Sequence, residues 1–282
     1  LGRIYHDWGK CEEAIAHYQQ SRDLCEALDL QEAVAYQLSH IAACYQELKD
    51  YATAIEYYQK SLERYQVVGN NESTARRLRQ LSHTQHRSAK ICSGEEALSR
   101  LQQAEGTLQQ AIQLDTAGDY CENLAYDQIS LALLRAESLN WLADNTDAVP
   151  DRMAQFEQCY AAGFAQLTEL GKVVDRAEAA LEIARAYLEI RLLENLDRAE
   201  TLTRQSLQTF QEFNRRKLEA DAYKLLGEIY LARDRRQESG AAAMASQFLT
   251  TSLHCYRELD LTEKAAEVEQ LMQSHPLEKD IL

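Results

Sequence analysis

Apolar residues along this chain recur at intervals of three, four and seven. They come in blocks separated by short breaks rich in turn formers, such as Gly9-Lys10, Lys49-Asp50 and Asn195-Leu196-Asp197. At 3.6 residues per turn, that rhythm puts the apolar side chains on one stripe of a helix. No β-branched stretch alternates apolar with polar, so no sheet is expected. Proline stands only at Pro150 and Pro276, and glycine occurs ten times. Few breakers, and an abundance of Ala, Leu, Gln and Glu that lose little side-chain freedom in a helix, predict long helices throughout.

The blocks also repeat. Shifted by 40 residues, Leu1-Gly2, Tyr5, Ala14, Tyr18 and Ser21 fall on Ile41-Ala42, Tyr45, Ala54, Tyr58 and Ser61. The pattern returns as Ile183-Ala184, Tyr187, Ala199 and Ser206, and as Leu226-Gly227, Tyr230, Ala245 and Ser252. Each unit predicts two helices. The small residue (Gly2, Ala42, Ala184, Gly227) lets them approach closely, and the tyrosine one turn on (Tyr5, Tyr45, Tyr187, Tyr230) fills the wedge beyond. One such hairpin has no core of its own, so neighbours must stack to bury the remaining apolar face.

This small-large-small pattern resembles the tetratricopeptide repeat family, in its longer-repeat variety of about 40 residues, against a usual 34. The resemblance covers residues 1 to 92 and 172 to 260. It implies an all-α, right-handed superhelical solenoid of antiparallel helical hairpins, about six repeats plus a C-terminal capping helix. The solenoid spans 1–274, with repeats at approximately 1–30 (partial), 31–70, 71–115, 116–171, 172–214 and 215–260, a cap at 261–274 and a tail at 275–282. Leu81-Ser82 and Gln85 replace the usual residues in the third unit, followed by a lengthened turn before Glu95-Glu96-Ala97, Leu101 and Ala104. The fourth unit reads as a first helix over 126–144, a loop over 144–150, and a second helix carrying Phe156, Tyr160 and Gly163. The sixth carries an insertion at 233–244. Leu1 falls inside a first helix with no initiator methionine before it, so the chain reads as a fragment of a larger protein.

Charge narrows the partners. A net charge of −15 opposes attraction to nucleic acid or to anionic membranes. No apolar run approaches the roughly 20 residues of a spanning helix, the N-terminus lacks a basic stretch followed by an apolar segment, and the cytoplasm is the expected compartment. Seven cysteines, odd in number, dispersed and never in C-x-x-C, argue against a disulfide framework or a zinc site. No phosphate-binding glycine loop, H-E-x-x-H or G-x-S-x-G occurs, so neither an enzyme, a cofactor nor a metal is expected. Acidic pairs such as Glu12-Glu13 and Glu95-Glu96 fit helix starts, where carboxylates favour the positive end of the dipole.

One stretch inverts the composition. Residues 73–93 carry Arg76, Arg77, Arg79, His83, His86, Arg87 and Lys90 and no acid. Spacings of three and four put Arg76, Arg79, His83, His86 and Lys90 on one helical stripe. In the family resembled, such first-helix positions line the concave surface; neighbouring units would add Arg3 and His6, and Tyr36, Ser39 and Gln46. Arginine's planar fork suits carboxylate or phosphate. Two readings stand side by side: a basic groove for an anionic ligand, or a solvated face paired with acids such as Glu56, Glu63, Glu95 and Glu96. The expected function is a non-catalytic interaction scaffold for a peptide or partner protein, an acidic one included. The alternative is a sensor segment of a larger bacterial signalling protein, with a nucleotide-hydrolysing switch, that binds a small anion.

Overall fold

The computed structural model describes residues 1–118, 120–142 and 147–275. Among the described residues the chain is helical, without a strand, and divides into two compact units, Leu1–Gly163 and Phe164–Leu282. The first contains α1 (Gly2–Asp7), α2 (Cys11–Ala27), α3 (Gln31–Glu47), α4 (Tyr51–Val68), α5 (Asn71–Ala89), α6 (Gly94–Gly118) and α7 (Cys121–Ser138). A 3-10 turn (Leu139–Trp141) follows, and α8 (Ala148–Glu169) crosses the division. The second contains α9 (Val173–Glu189), α10 (Leu196–Glu212), α11 (Arg216–Arg235), α12 (Ala241–Glu258) and α13 (Thr262–Ser274).

Among the described residues α1 to α7 each pack on the next in chain order, as do α9 to α13, a solenoid of hairpins in which short connections force antiparallel pairs. The chain reverses at a residue in left-handed conformation: Gly9, Asp29, Lys49 and Gly69, each 20 residues after the last, then Gly171, Asn214 and Asp260. The amide of the next residue bonds the carbonyl five positions back, as Asp50 to Tyr45 at 2.9 Å and Arg215 to Phe210 at 2.8 Å, which closes the helix end. One helix plus one reversal therefore takes 20 residues, and the 40-residue period is two of them.

The small positions are contact points. A Cβ added at Gly2 would lie 2.8 Å from the Tyr18 ring, and one at Gly227 2.5 Å from Leu249. Ala42 and Ala184 are fully buried. The tyrosines fill the wedge: Tyr45 stacks on Tyr57, Tyr5 on His17, and Tyr230 packs against Phe248. Burying a side chain such as Leu226 contributes roughly 1.5–3 kcal/mol. The repeated serine also has a role. Ser61 donates to the carbonyl of Ala35 at 2.7 Å, Ser206 to Ala177 at 2.8 Å and Ser252 to Ala220 at 2.9 Å, each tying a second helix to the first helix of its own hairpin. In the third hairpin the bond runs the other way, from Ser82 of α5 to Ala104 of α6 at 2.7 Å.

Three local expectations change. The first helix of the fourth unit, expected over 126–144, runs instead from Cys121 to Ser138 as α7, with the 3-10 turn after it. Residues 148–150 belong to α8, where Pro150 sits in the first turn and needs no amide partner, while 144–146 lie outside the described residues. The extra residues at 233–244 are shared between a longer α11, which runs to Arg235, and the reversal before Ala241. Of the tail, all but His275 lies outside the described residues.

Candidate functional site

In Leu1–Gly163 the first helices of successive hairpins are joined by polar pairs. His6 of α1 meets Glu47 of α3 at 2.8 Å, and Thr84 of α5 donates to Gln46 of α3 at 2.6 Å. His86 of α5 pairs with Glu137 of α7. The second unit repeats the device, with Arg185 of α9 on Glu228 of α11 at 3.2 Å and Lys224 of α11 on Glu267 of α13 at 2.7 Å.

Between α5 and α7 lies a groove of about 610 Å³. Helix α5 contributes Arg79, Ser82, His83, His86 and Arg87, and Lys90 follows directly at its end; α7 contributes Tyr126, Asp127, Ser130, Leu133 and Leu134; α6 adds Leu108. Four of the sequence-predicted residues, Arg79, His83, His86 and Arg87, thus come together. The other six do not line this groove. Arg76 is exposed and pairs with Glu72 at 3.3 Å. Tyr36 packs edge-on against His40, with ring centres 4.3 Å apart. Ser39 is 1% exposed and its hydroxyl donates to the Tyr36 carbonyl, so it packs inside α3 instead of presenting to a ligand. Gln46 and His6 are held in the polar pairs described above, and Arg3 is exposed on α1.

The cations in the groove fall into two classes. Arg79 reaches two carboxylates, Asp115 at the end of α6 and Asp127 of α7, the second at 3.3 Å. Both acids are almost wholly buried. Burial pushes the Asp127 carboxyl up to about 7 against the pull of Arg79, and the neighbouring Asp115 adds to the rise. His86 is engaged by Glu137; burial raises the Glu137 carboxyl, but the His86 bond and Lys90 outweigh it and hold the pKa below its usual value. Arg87 instead lies over the Tyr51 ring at 5.6 Å. Among the described residues neither Arg87 nor Lys90 forms an ion pair. Burial lowers the His83 pKa, and the charges of Arg87, His86 and Lys90 lower it further.

Sequence reasoning had offered Glu56, Glu63, Glu95 and Glu96 as partners for the basic stripe. The acids that pair with it are Glu72, Asp115, Asp127 and Glu137. Three of these come from α6 and α7, beyond the reach of any pattern internal to α5.

Residues 31–91 match the family model of the tetratricopeptide repeat. That segment carries the tetratricopeptide repeat. By sequence, no curated protein is significantly similar to it. In structure it is similar to BtubC (BKLC) from P. vanneervenii, with a TM-score of 0.67 at 16% identity, covering 89% of this chain and 92% of that one. It is also similar to a Rap protein complexed with Competence and Sporulation Factor, with a TM-score of 0.52 at 15% identity, covering 97% of this chain and 72% of that one. At such identities the likeness is one of fold, which does not by itself assign a ligand. Among the described residues, no helix is long and apolar enough to cross a membrane.

Proposed function

We propose that the chain is a non-catalytic interaction module that holds an acidic peptide segment in the groove between α5 and α7. The observation that carries this reading is the division among the cations. Internal carboxylates occupy Arg79 and His86, whereas Arg87 and Lys90 face the same groove without an ion pair among the described residues. Beside them Tyr126, Leu133 and Leu134 offer an apolar wall. A ligand carboxylate would meet Arg87 and Lys90 while an adjoining apolar side chain covers that wall, the usual division between orientation and affinity. The similar Rap protein, complexed with Competence and Sporulation Factor, supports a binding role for this fold.

The test is selection from a displayed random-peptide library by the purified chain and by an Arg87→Glu/Lys90→Glu variant of matched helicity. Peptides that place Asp or Glu beside an apolar residue should be enriched, and the double variant should bind them at least about tenfold more weakly, the worth of roughly one charge-assisted contact. Equal binding by both chains would remove the groove from the reading. Binding of inorganic phosphate or a small carboxylate, without any peptide, would favour a small-anion sensor instead.

A further inference from the structure

Away from that groove, α1, α2 and α3 converge on a second group of side chains. The His6 ring, the Cys11 thiol and the Cys44 thiol bring one nitrogen and two sulfur atoms within 4.8 Å of one another. Glu47, one turn beyond Cys44 on α3, closes the group: its Oε1 lies 2.8 Å from His6 Nε2, and its Oε2 accepts from the Cys11 thiol at 3.2 Å. We propose that His6, Cys11, Cys44 and Glu47 form a binding site for a zinc ion that clasps α1 onto α2 and α3.

The donor set points to the metal. Two thiolates and an imidazole suit zinc and disfavour magnesium and calcium, which take oxygen ligands. Zinc holds four ligands in a tetrahedron, with bonds of about 2.3 Å to sulfur and about 2.0 Å to nitrogen, which sets the donors roughly 3.5 Å apart. The observed spread of up to 4.8 Å would contract to that size on binding. Charge argues the same way. Both sulfurs are buried, yet they share their surroundings with a carboxylate instead of purely aliphatic neighbours. A divalent ion would displace both thiol protons to solvent and offset two of the three negative charges of two thiolates and a carboxylate. The site also has a structural use, because α1 has only six residues and cannot hold its own helix in water.

The experiment is titration of the full chain with cobalt(II), then zinc, in the presence of a phosphine reductant. One equivalent of cobalt should produce thiolate-to-metal charge-transfer absorption and the visible bands of tetrahedral cobalt, release two protons and be displaced by zinc. A Cys92→Ser/Cys121→Ser chain should behave as the wild type. His6→Ala and Glu47→Gln, changes at partly exposed positions, should each weaken binding at least about tenfold. Cys11→Ser should abolish the charge-transfer absorption, and the His6 and Glu47 variants decide the matter if that chain does not fold. A folded, reduced wild type that takes up no cobalt would overturn the proposal. So would a spectrum indifferent to His6 and Glu47, or a Cys11–Cys44 disulfide forming in air with no metal uptake by the reduced chain.

Discussion

At Asp127 folding and proton binding are coupled. Its carboxyl, buried beside Arg79 and Asp115, titrates at about 7, whereas an unfolded aspartate titrates near about 3.9. The folded chain therefore binds this proton more tightly than the unfolded one. The stability it contributes is complete below about pH 4 and is lost as pH rises toward 7. His40 works in the opposite sense. Wedged between Tyr18 and Tyr36, it is lowered to about 4 by burial, with Arg77 nearby adding to the effect. Its neutral form stabilises the fold above about pH 6.5, and that contribution is lost as pH falls toward 4. In urea titrations from pH 4 to 8, Asp127→Asn should lose stability relative to wild type on acidification and gain on the order of 1–3 kcal/mol at pH 8. His40→Phe, which keeps the ring, should gain stability relative to wild type at the acid end. Parallel pH curves for Asp127→Asn and wild type would place the proton elsewhere.

At the scale of the helix and its turn, close packing and left-handed reversals make separate demands on sequence. Gly163 of α8 packs so closely on α7 that an added Cβ would lie 2.7 Å from Ile129 and 2.9 Å from the Ala125 carbonyl oxygen. Since backbone cannot move aside as a side-chain tip can, Gly163→Ala should destabilise by about 1–3 kcal/mol. Gly106 of α6 has open space, so Gly106→Ala should stabilise by about 0.5–1 kcal/mol in the same thermal or urea melts. Lys49 holds φ 63° at a reversal where Gly9 and Gly69 serve their own turns. Lys49→Gly relieves roughly 1–2 kcal/mol of left-handed strain and gives back about 0.5–1 in backbone entropy, for a net gain of about 0.5–1 kcal/mol. A lower melting temperature would show that the Lys49 side chain makes a compensating contact. These elements also mark how far the fold could be read in advance. The small residue, the wedge tyrosine and the tying serine recur at fixed spacing, so Gly2, Tyr5 and Ser61 were visible from a shift of 40. The third hairpin was harder because Ser82 combines the small position with the hydrogen bond to Ala104. An alignment of repeats also cannot say whether added residues lengthen a helix or a loop, which is why the insertion at 233–244 was placed without its extension of α11. The basic stripe was legible in α5, but the division of its cations was not. That division is set by Asp115, Asp127 and Glu137, which lie 36 to 51 positions away from their partners.

The whole chain carries 45 acidic against 30 basic side chains, and this net charge and the local cations of the groove should separate in the kinetics of binding. A distant acidic peptide meets the net charge of −15 and is repelled. Only within a few ångströms do Arg87 and Lys90 dominate, in a groove whose apolar wall weakens screening. Salt acts unequally on the two. The Debye length falls from about 30 Å at 0.01 M to about 8 Å at 0.15 M, which removes the long-range repulsion first and leaves contacts at ion-pair distance largely in force. Stopped-flow measurements with an enriched acidic peptide should therefore show an association rate that rises with salt across this range, the reverse of ordinary electrostatic steering. Dissociation should quicken only modestly, and Arg87→Glu/Lys90→Glu should act mainly by speeding it. An association rate that falls with salt would mean that the local cations already govern the field at capture distance, and that the acidity of the rest of the chain does not reach the ligand's approach.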